Sequence, residues 1–191
     1  IALLDHLEIS EAHIIGASMG GMIAQVMALE HSDRVKSLTL IFTTPGFDTP
    51  GLSGPSESFK AAMKESFLLN LSGNEIDALI VTEEALTGSR FPFNKNNFIE
   101  KAKIRLNQGI NISNAQTAAV GASPNRASSL KYINQPTLII HGTEDPLIPV
   151  DHGMYLFDNI TNSKKLILEG VGHEIPDQLL QEIIPAIVRN F

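Results

Sequence analysis

The chain opens on an amphipathic helical pattern, Ile1 to Leu7, and then changes rhythm. Ala12-His13-Ile14-Ile15-Gly16 is a short apolar run that ends in glycine, as a buried strand entering a tight turn would. A helix is expected at once, with Met22, Ile23, Val26, Met27 and Leu29 as its apolar face and Glu30-His31-Ser32-Asp33-Arg34 as its polar end. Val35 to Thr43, rich in Leu and β-branched residues and bounded by Pro45-Gly46, reads as the next strand. Strand, turn, helix, strand is the order of a parallel βαβ unit.

Between Pro45 and Ser123 the strand rhythm stops. A stretch dense in Pro, Gly and Ser at 45–56 leads into helical patterns near 56–71, 74–87 and 95–108. So long an all-helical segment exceeds one crossover of a parallel sheet, and it reads as an inserted helical cap. Strand character returns at Thr137-Leu138-Ile139-Ile140, followed by a helix near 151–160, a strand at Lys165-Leu166-Ile167-Leu168 and a last helix from about Gln178. The expected class is α/β, a parallel sheet with flanking helices, divided into core (1–45), cap (46–123) and core again (124–191).

Composition narrows the function. With 191 residues and 43% apolar content, the chain can bury one substantial core. A net charge of −7 without a Lys/Arg cluster gives no footprint for a nucleic acid or an anionic membrane surface. The absence of cysteine removes disulfides, thiolate metal sites and thiol nucleophiles. No apolar run approaches the roughly 20 residues of a membrane span, so a soluble protein is expected, with the cytoplasm as the default location. Ile1 falls inside a helical pattern, and a preceding segment of the natural protein, with any targeting signal it carries, is expected.

Three constellations carry chemistry. Gly16-Ala17-Ser18-Met19-Gly20 is a G-x-S-x-G sequence between an expected strand and an expected helix, the context in which that motif presents a nucleophilic serine. The turn would strain the Ser18 backbone, side chains at 16 or 20 would collide with neighbouring backbone, and Gly21 would extend the close approach. The Met19 N–H, at the helix start, would face a developing oxyanion. A phosphate loop or a plain helix cap is the competing reading. A dinucleotide fingerprint, however, needs glycine where Ser18 stands, and a P-loop needs Lys-Ser/Thr where Met22-Ile23 stand.

Asp145 lies in His141-Gly142-Thr143-Glu144-Asp145-Pro146, just past a strand end. It is favoured over Glu144 as the acid because its shorter side chain at the bend is the more rigid orienter. His173 follows another strand end, in Gly170-Val171-Gly172-His173, a glycine-rich loop that lets it turn inward. Carboxyl ends of parallel strands share one edge, so Ser18, Asp145 and His173 should converge there, in the chain order Ser, Asp, His. His6, His13, His31, His141 and His152 read as bystanders, and no H-E-x-x-H or H-x-x-E-H spacing suggests a catalytic metal.

Through Gly16-Ala17-Ser18-Met19-Gly20-Gly21-Met22, Ser32-Asp33-Arg34-Val35, Pro136 to Val150 and Gly172-His173, the chain resembles the α/β-hydrolase superfamily. The stretches Ser123-Pro124-Asn125-Arg126 and Pro136 to Pro149 look like esterases similar to aclacinomycin methylesterase. The resemblance implies a helical cap over the site, no cofactor, a small-molecule ester as partner and hydrolysis through an acyl-enzyme. It also implies that this chain is the C-terminal portion of the fold. Strands and a His-Gly loop supplying the second oxyanion donor would precede it, and without them the Ala12–Gly16 strand would expose an apolar edge. A small-amide peptidase, a C–C bond hydrolase, a perhydrolase and a non-catalytic ligand-binding member are the rival uses of the same fold. Phe59, Met63, Phe67, Leu68, Phe91, Phe93, Phe98 and Ile104 of the cap are the expected pocket or packing residues.

Overall fold

Four strands run parallel and in chain order in the computed structural model, which describes residues 1–107 and 113–191: β1 (Ala12–Ala17), β2 (Val35–Ile41), β3 (Thr137–Gly142) and β4 (Ser163–Leu168). Helix α1 (Ala2–His6) precedes them, α2 (Met19–Glu30) joins β1 to β2, and α3 (Glu57–Leu71), α4 (Glu75–Leu86), α5 (Lys95–Asn107) and α6 (Ser113–Ala122) lie between β2 and β3. Helix α7 (Val150–Asn159) joins β3 to β4, and α8 (Leu180–Val188) follows. Every strand thus delivers its carboxyl end to one edge of the sheet.

The strand sequences explain the order. All of β3 is buried and β2 exposes only Lys36, as central strands covered on both faces require. The outer strand β4 exposes Lys164 and Lys165, charges that discourage further pairing. The other outer strand, β1, leaves Ile15 half exposed. On one face Leu38, Leu40 and Ile139 pack with Ala24 and Ala28 of α2 and with Leu156 and Ile160 at α7. On the other, Ile41, Leu138, Ile140 and Leu168 meet Leu179 and Ile183 of the C-terminal segment. Each fully buried Leu or Ile in these clusters contributes about 1.5–3 kcal/mol.

The buried face of α2 differs from the one its large side chains suggest. Met22, Ala24, Gln25 and Ala28 turn inward, and Ile23 is half exposed. The helix lies so close on the sheet that small residues fill the contact. Strand β2 also stops at Ile41, two residues short of the expected Thr43, because Phe42 turns to φ 47° and Thr43 is drawn to the serine turn.

Helices α3, α4 and α5 match the expected helical patterns, except that residue 108 lies outside the described residues. Ser56 caps α3 by accepting from the Phe59 N–H. Ser66 ties α3 to α4 by donating to the Ala78 carbonyl oxygen. Helix α6 was not legible: Ser113 to Ala122 is built of small and polar residues with no apolar stripe. At the neck of the insertion the buried Arg126 donates to Gln25 Oε1, Ser123 Oγ and the Pro124 and Thr44 carbonyl oxygens, while its N–H meets the Pro45 carbonyl. Burial pushes the guanidinium pKa down, against the nearby Asp48 charge. Among the described residues no helix is long and apolar enough to cross a membrane.

Candidate active site

Ser18 sits between the last residue of β1 and the first of α2, with φ 53° and ψ −119°. That conformation is costly for a residue with a Cβ and persists because the surroundings hold it. The Ser18 N–H donates to the Ile41 carbonyl over 2.8 Å, and the Ser18 carbonyl accepts from Thr43 Oγ1 at 2.7 Å and from the Gly21 N–H at 3.0 Å. A Cβ at Gly16 would lie 2.2 Å from the Gly20 carbonyl oxygen, and one at Gly21 would strike the Thr43 side chain at 2.6 Å. Position 20 is different: among the described residues a Cβ there would meet nothing within 4 Å, so glycine is not demanded by collision. The crowding belongs to the Gly20 carbonyl, pressed against Gly16.

Asp145, its side chain fully buried, sits in the loop after β3. Its Oδ1 accepts from the Leu147 and Ile148 N–H groups at 3.0 and 2.8 Å, an Asx-type turn that fixes the carboxylate. Its Oδ2 lies 2.7 Å from His173 Nδ1, and His173 Nε2 lies 3.1 Å from Ser18 Oγ. The structure therefore brings the three expected side chains into one hydrogen-bonded row at the carboxyl edge of the sheet. Burial works to raise the Asp145 pKa, but hydrogen bonds from His141 and His173 outweigh it and hold the carboxyl below its ordinary range. An ionised carboxylate only accepts, so Nδ1 carries the imidazole proton and Nε2 presents its lone pair to the serine hydroxyl. Met19 is the first residue of α2, where an N–H has no intrahelical carbonyl to bond.

Two neighbours escaped the sequence. His141, read there as a bystander, is fully buried at the end of β3, with Nε2 2.8 Å from the Ile148 carbonyl and 3.5 Å from Asp145 Oδ2. A carbonyl accepts only, so Nε2 carries the proton and presents its positive end to the carboxylate. Phe42 lies against both imidazoles, its ring centroid 5.8 Å from that of His141 and 5.7 Å from that of His173. The sequence hint was faint: a histidine closing an apolar strand beside an acid loop. Glu144, the competing acid, points elsewhere and binds Ser89 through both carboxylate oxygens.

Two clefts are lined in part by chain neighbours of the row, Met19 in one and Glu174 in the other. One, of about 300 Å³, is lined by Met19, Met22, Ile23, Val26, Ala119, Val120 and Ser123. The other, of about 340 Å³, holds Phe91, Phe93 and Phe98 beside Glu174 and Asp177. Phe59 is buried as packing, whereas Phe67, Leu68 and Ile104 face outward. Among the described residues no group of three or more His, Asp or Glu is arranged to hold a metal ion.

A serine on a strained strand-to-helix turn, with an acid and a histidine past later strands of the same parallel sheet, defines the α/β-hydrolase class of architecture. Residues 2–178 match the family described as alpha/beta hydrolase fold, and the chain belongs to that family. Among relatives, it is 29% identical over 174 residues to 2-hydroxy-6-oxononadienedioate/2-hydroxy-6-oxononatrienedioate hydrolase 1 of Pseudomonas putida, covering 90% of this chain and 59% of that protein. It is 25% identical over 207 residues to rhodomycin D methylesterase DauP of Streptomyces sp. (strain C5), covering 98% of this chain and 69% of that protein. The esterase RhEst1 from Rhodococcus sp. ECU1013 shares the fold with a TM-score of 0.74 at 19% identity, over 99% of this chain and 70% of that one. The chain thus spans about six tenths of the length of the Pseudomonas relative.

Proposed function

We propose that the protein is a serine hydrolase that cleaves a carboxylic ester through an acyl-enzyme. The observation that carries the reading is the continuous row Ser18 Oγ, His173 Nε2, His173 Nδ1, Asp145 Oδ2, with links of 3.1 and 2.7 Å. His173 takes the hydroxyl proton as Ser18 Oγ attacks the ester carbonyl, while the buried Asp145 carboxylate holds the tautomer and stabilises the imidazolium. The Met19 N–H is one donor to the tetrahedral oxyanion. The imidazolium then protonates the leaving alkoxide. Water, activated by the same histidine, attacks the acyl-enzyme and releases the acid with Ser18 restored.

The lining of the cleft beside Met19 supports an apolar acyl or alkyl group, since Ser123 is its sole polar member among the described residues. A small alkyl ester is in keeping with the methylesterase relative. Hydrolysis of a keto acid, as the name of the Pseudomonas relative describes for that protein, is the second reading, and the apolar lining is a poor match for a dienedioate. Hydrolysis of p-nitrophenyl esters with a burst of acyl-enzyme, abolished in Ser18→Ala, is the expected result. Steady turnover by that variant at the wild-type rate would refute the reading.

A further inference from the structure

The connection between α4 and α5 is stitched to the loops that carry the acid and the histidine. Leu86 accepts the His173 N–H through its carbonyl oxygen at 2.8 Å, and the Arg90 N–H donates to the Gly170 carbonyl at 2.8 Å. The Gly88 N–H donates to Glu174 Oε1 at 3.0 Å. Ser89 donates twice to Glu144, from its N–H to Oε2 and from its hydroxyl to Oε1, each at 2.7 Å. The backbones approach so closely that a Cβ at Gly172 would lie 2.1 Å from the Leu86 carbonyl oxygen, and one at Gly88 would lie 2.3 Å from that of Gly170.

Glu144 and Glu174 are the residues next to Asp145 and His173, and each sends its carboxylate away from the row to the same segment, 86–90. We propose that Glu144 and Glu174 are positioning residues that clamp segment 86–90 so that the Leu86 carbonyl holds the His173 backbone where Nε2 meets Ser18. The helical insertion and the general base are thereby mechanically coupled: displacing the α4–α5 connection carries the His173 N–H with it. Side-chain carboxyl oxygens suit the task, since each can accept from a backbone N–H. The inference rests on the serine-hydrolase reading, since it assigns a purpose to the placement of His173.

The test uses the rate at which a fluorophosphonate labels Ser18 in the intact protein, measured against pH. Glu144→Ala and Glu174→Ala are each expected to slow labelling by about tenfold, the scale at which misplaced groups lose rate. Glu144→Gln and Glu174→Gln keep an acceptor oxygen and should label within about threefold of wild type. If the alanine variants do not fold, Ser89→Ala, which removes only the hydroxyl donor, should still slow labelling by about twofold to threefold. Alanine variants that label at the wild-type rate, whatever their melting temperature, overturn the positioning role and leave the hydrolase reading standing. So does a slowing that the glutamine variants share equally. A wild type that is not labelled at all defeats the hydrolase reading and the positioning with it.

Discussion

Thr43 Oγ1 donates to the Ser18 carbonyl oxygen over 2.7 Å, and the same side chain occupies the space that a Cβ at Gly21 would need. Thr43, two residues past the end of β2, therefore holds the strained turn from outside. Thr43→Val keeps the shape and removes the donor. Two N–H groups, of Gly21 and Met22, still serve that carbonyl. The expected loss is about 1 kcal/mol in denaturant unfolding, with a severalfold fall in ester turnover. An unchanged midpoint with unchanged turnover would mean that the hydroxyl does not support the turn.

Asp145→Asn should reduce turnover by about 10³-fold or more, because the amide can fix the wrong imidazole tautomer and cannot balance the imidazolium. Stability carries a second signature. The carboxyl is held below its ordinary range, so its ionised form is the one the fold prefers. Its contribution is fully present above the unfolded value near pH 4 and is lost as pH falls through the lower folded value. The stability gap between wild type and variant should be constant above about pH 5 and should narrow below about pH 4. A gap that widens toward acid would contradict this assignment.

Glu174 carries the opposite sign. Burial, with Glu83 nearby, raises its pKa despite the hydrogen bonds from Gly88 and Thr87, so the fold disfavours its ionised form. Wild-type stability should therefore fall as pH rises from the ordinary Glu value, near 4.3, through the raised folded value. Glu174→Gln escapes that loss. Its advantage over wild type should be absent near pH 4 and complete once the pH exceeds the folded value, read from melting temperatures across that range. An advantage that is the same at pH 4 and pH 7 would show that burial of the charge is not its source.

Arg126 holds the neck of the insertion through Gln25, Ser123, Pro124 and Thr44. Arg126→Ala takes the donor from the buried Gln25 Oε1, while the Thr44 carbonyl keeps Gln25 Nε2 and the exposed Ser123 and Pro124 can turn to water, and a loss of about 1–3 kcal/mol is expected in chemical denaturation. Arg126→Lys should recover part of it, since a lysine cannot serve four acceptors from a planar fork. A loss below about 0.5 kcal/mol would place the neck among ordinary surface contacts.

Much of this arrangement could be read from residues alone. Ser18, Asp145 and His173 each follow a short run rich in β-branched or Leu residues, and parallel strands place such loops on one edge whatever the detail of packing. Gly16 and Gly21 also betray themselves, because their neighbours approach to contact distance. Gly20 misleads for the reason that a motif records a residue and not its collision partner. Helix α6 and the inward face of α2 share a cause, since alanines and other small residues carry little hydropathy; in α2 they set how closely the helix lies on the sheet. His141 and Glu144 acquire their meaning only from partners brought near by the fold, Asp145 for one and Ser89 for the other.

In the proposed reaction Ser18 is the nucleophile, activated through His173. Mass spectrometry of the protein after treatment with a fluorophosphonate, digested and mapped, reads that property directly. A single adduct on Ser18, formed rapidly in wild type and lost in His173→Ala, is the predicted result. Wild-type protein that remains unmodified at Ser18, or modification equally fast without the histidine, would contradict it.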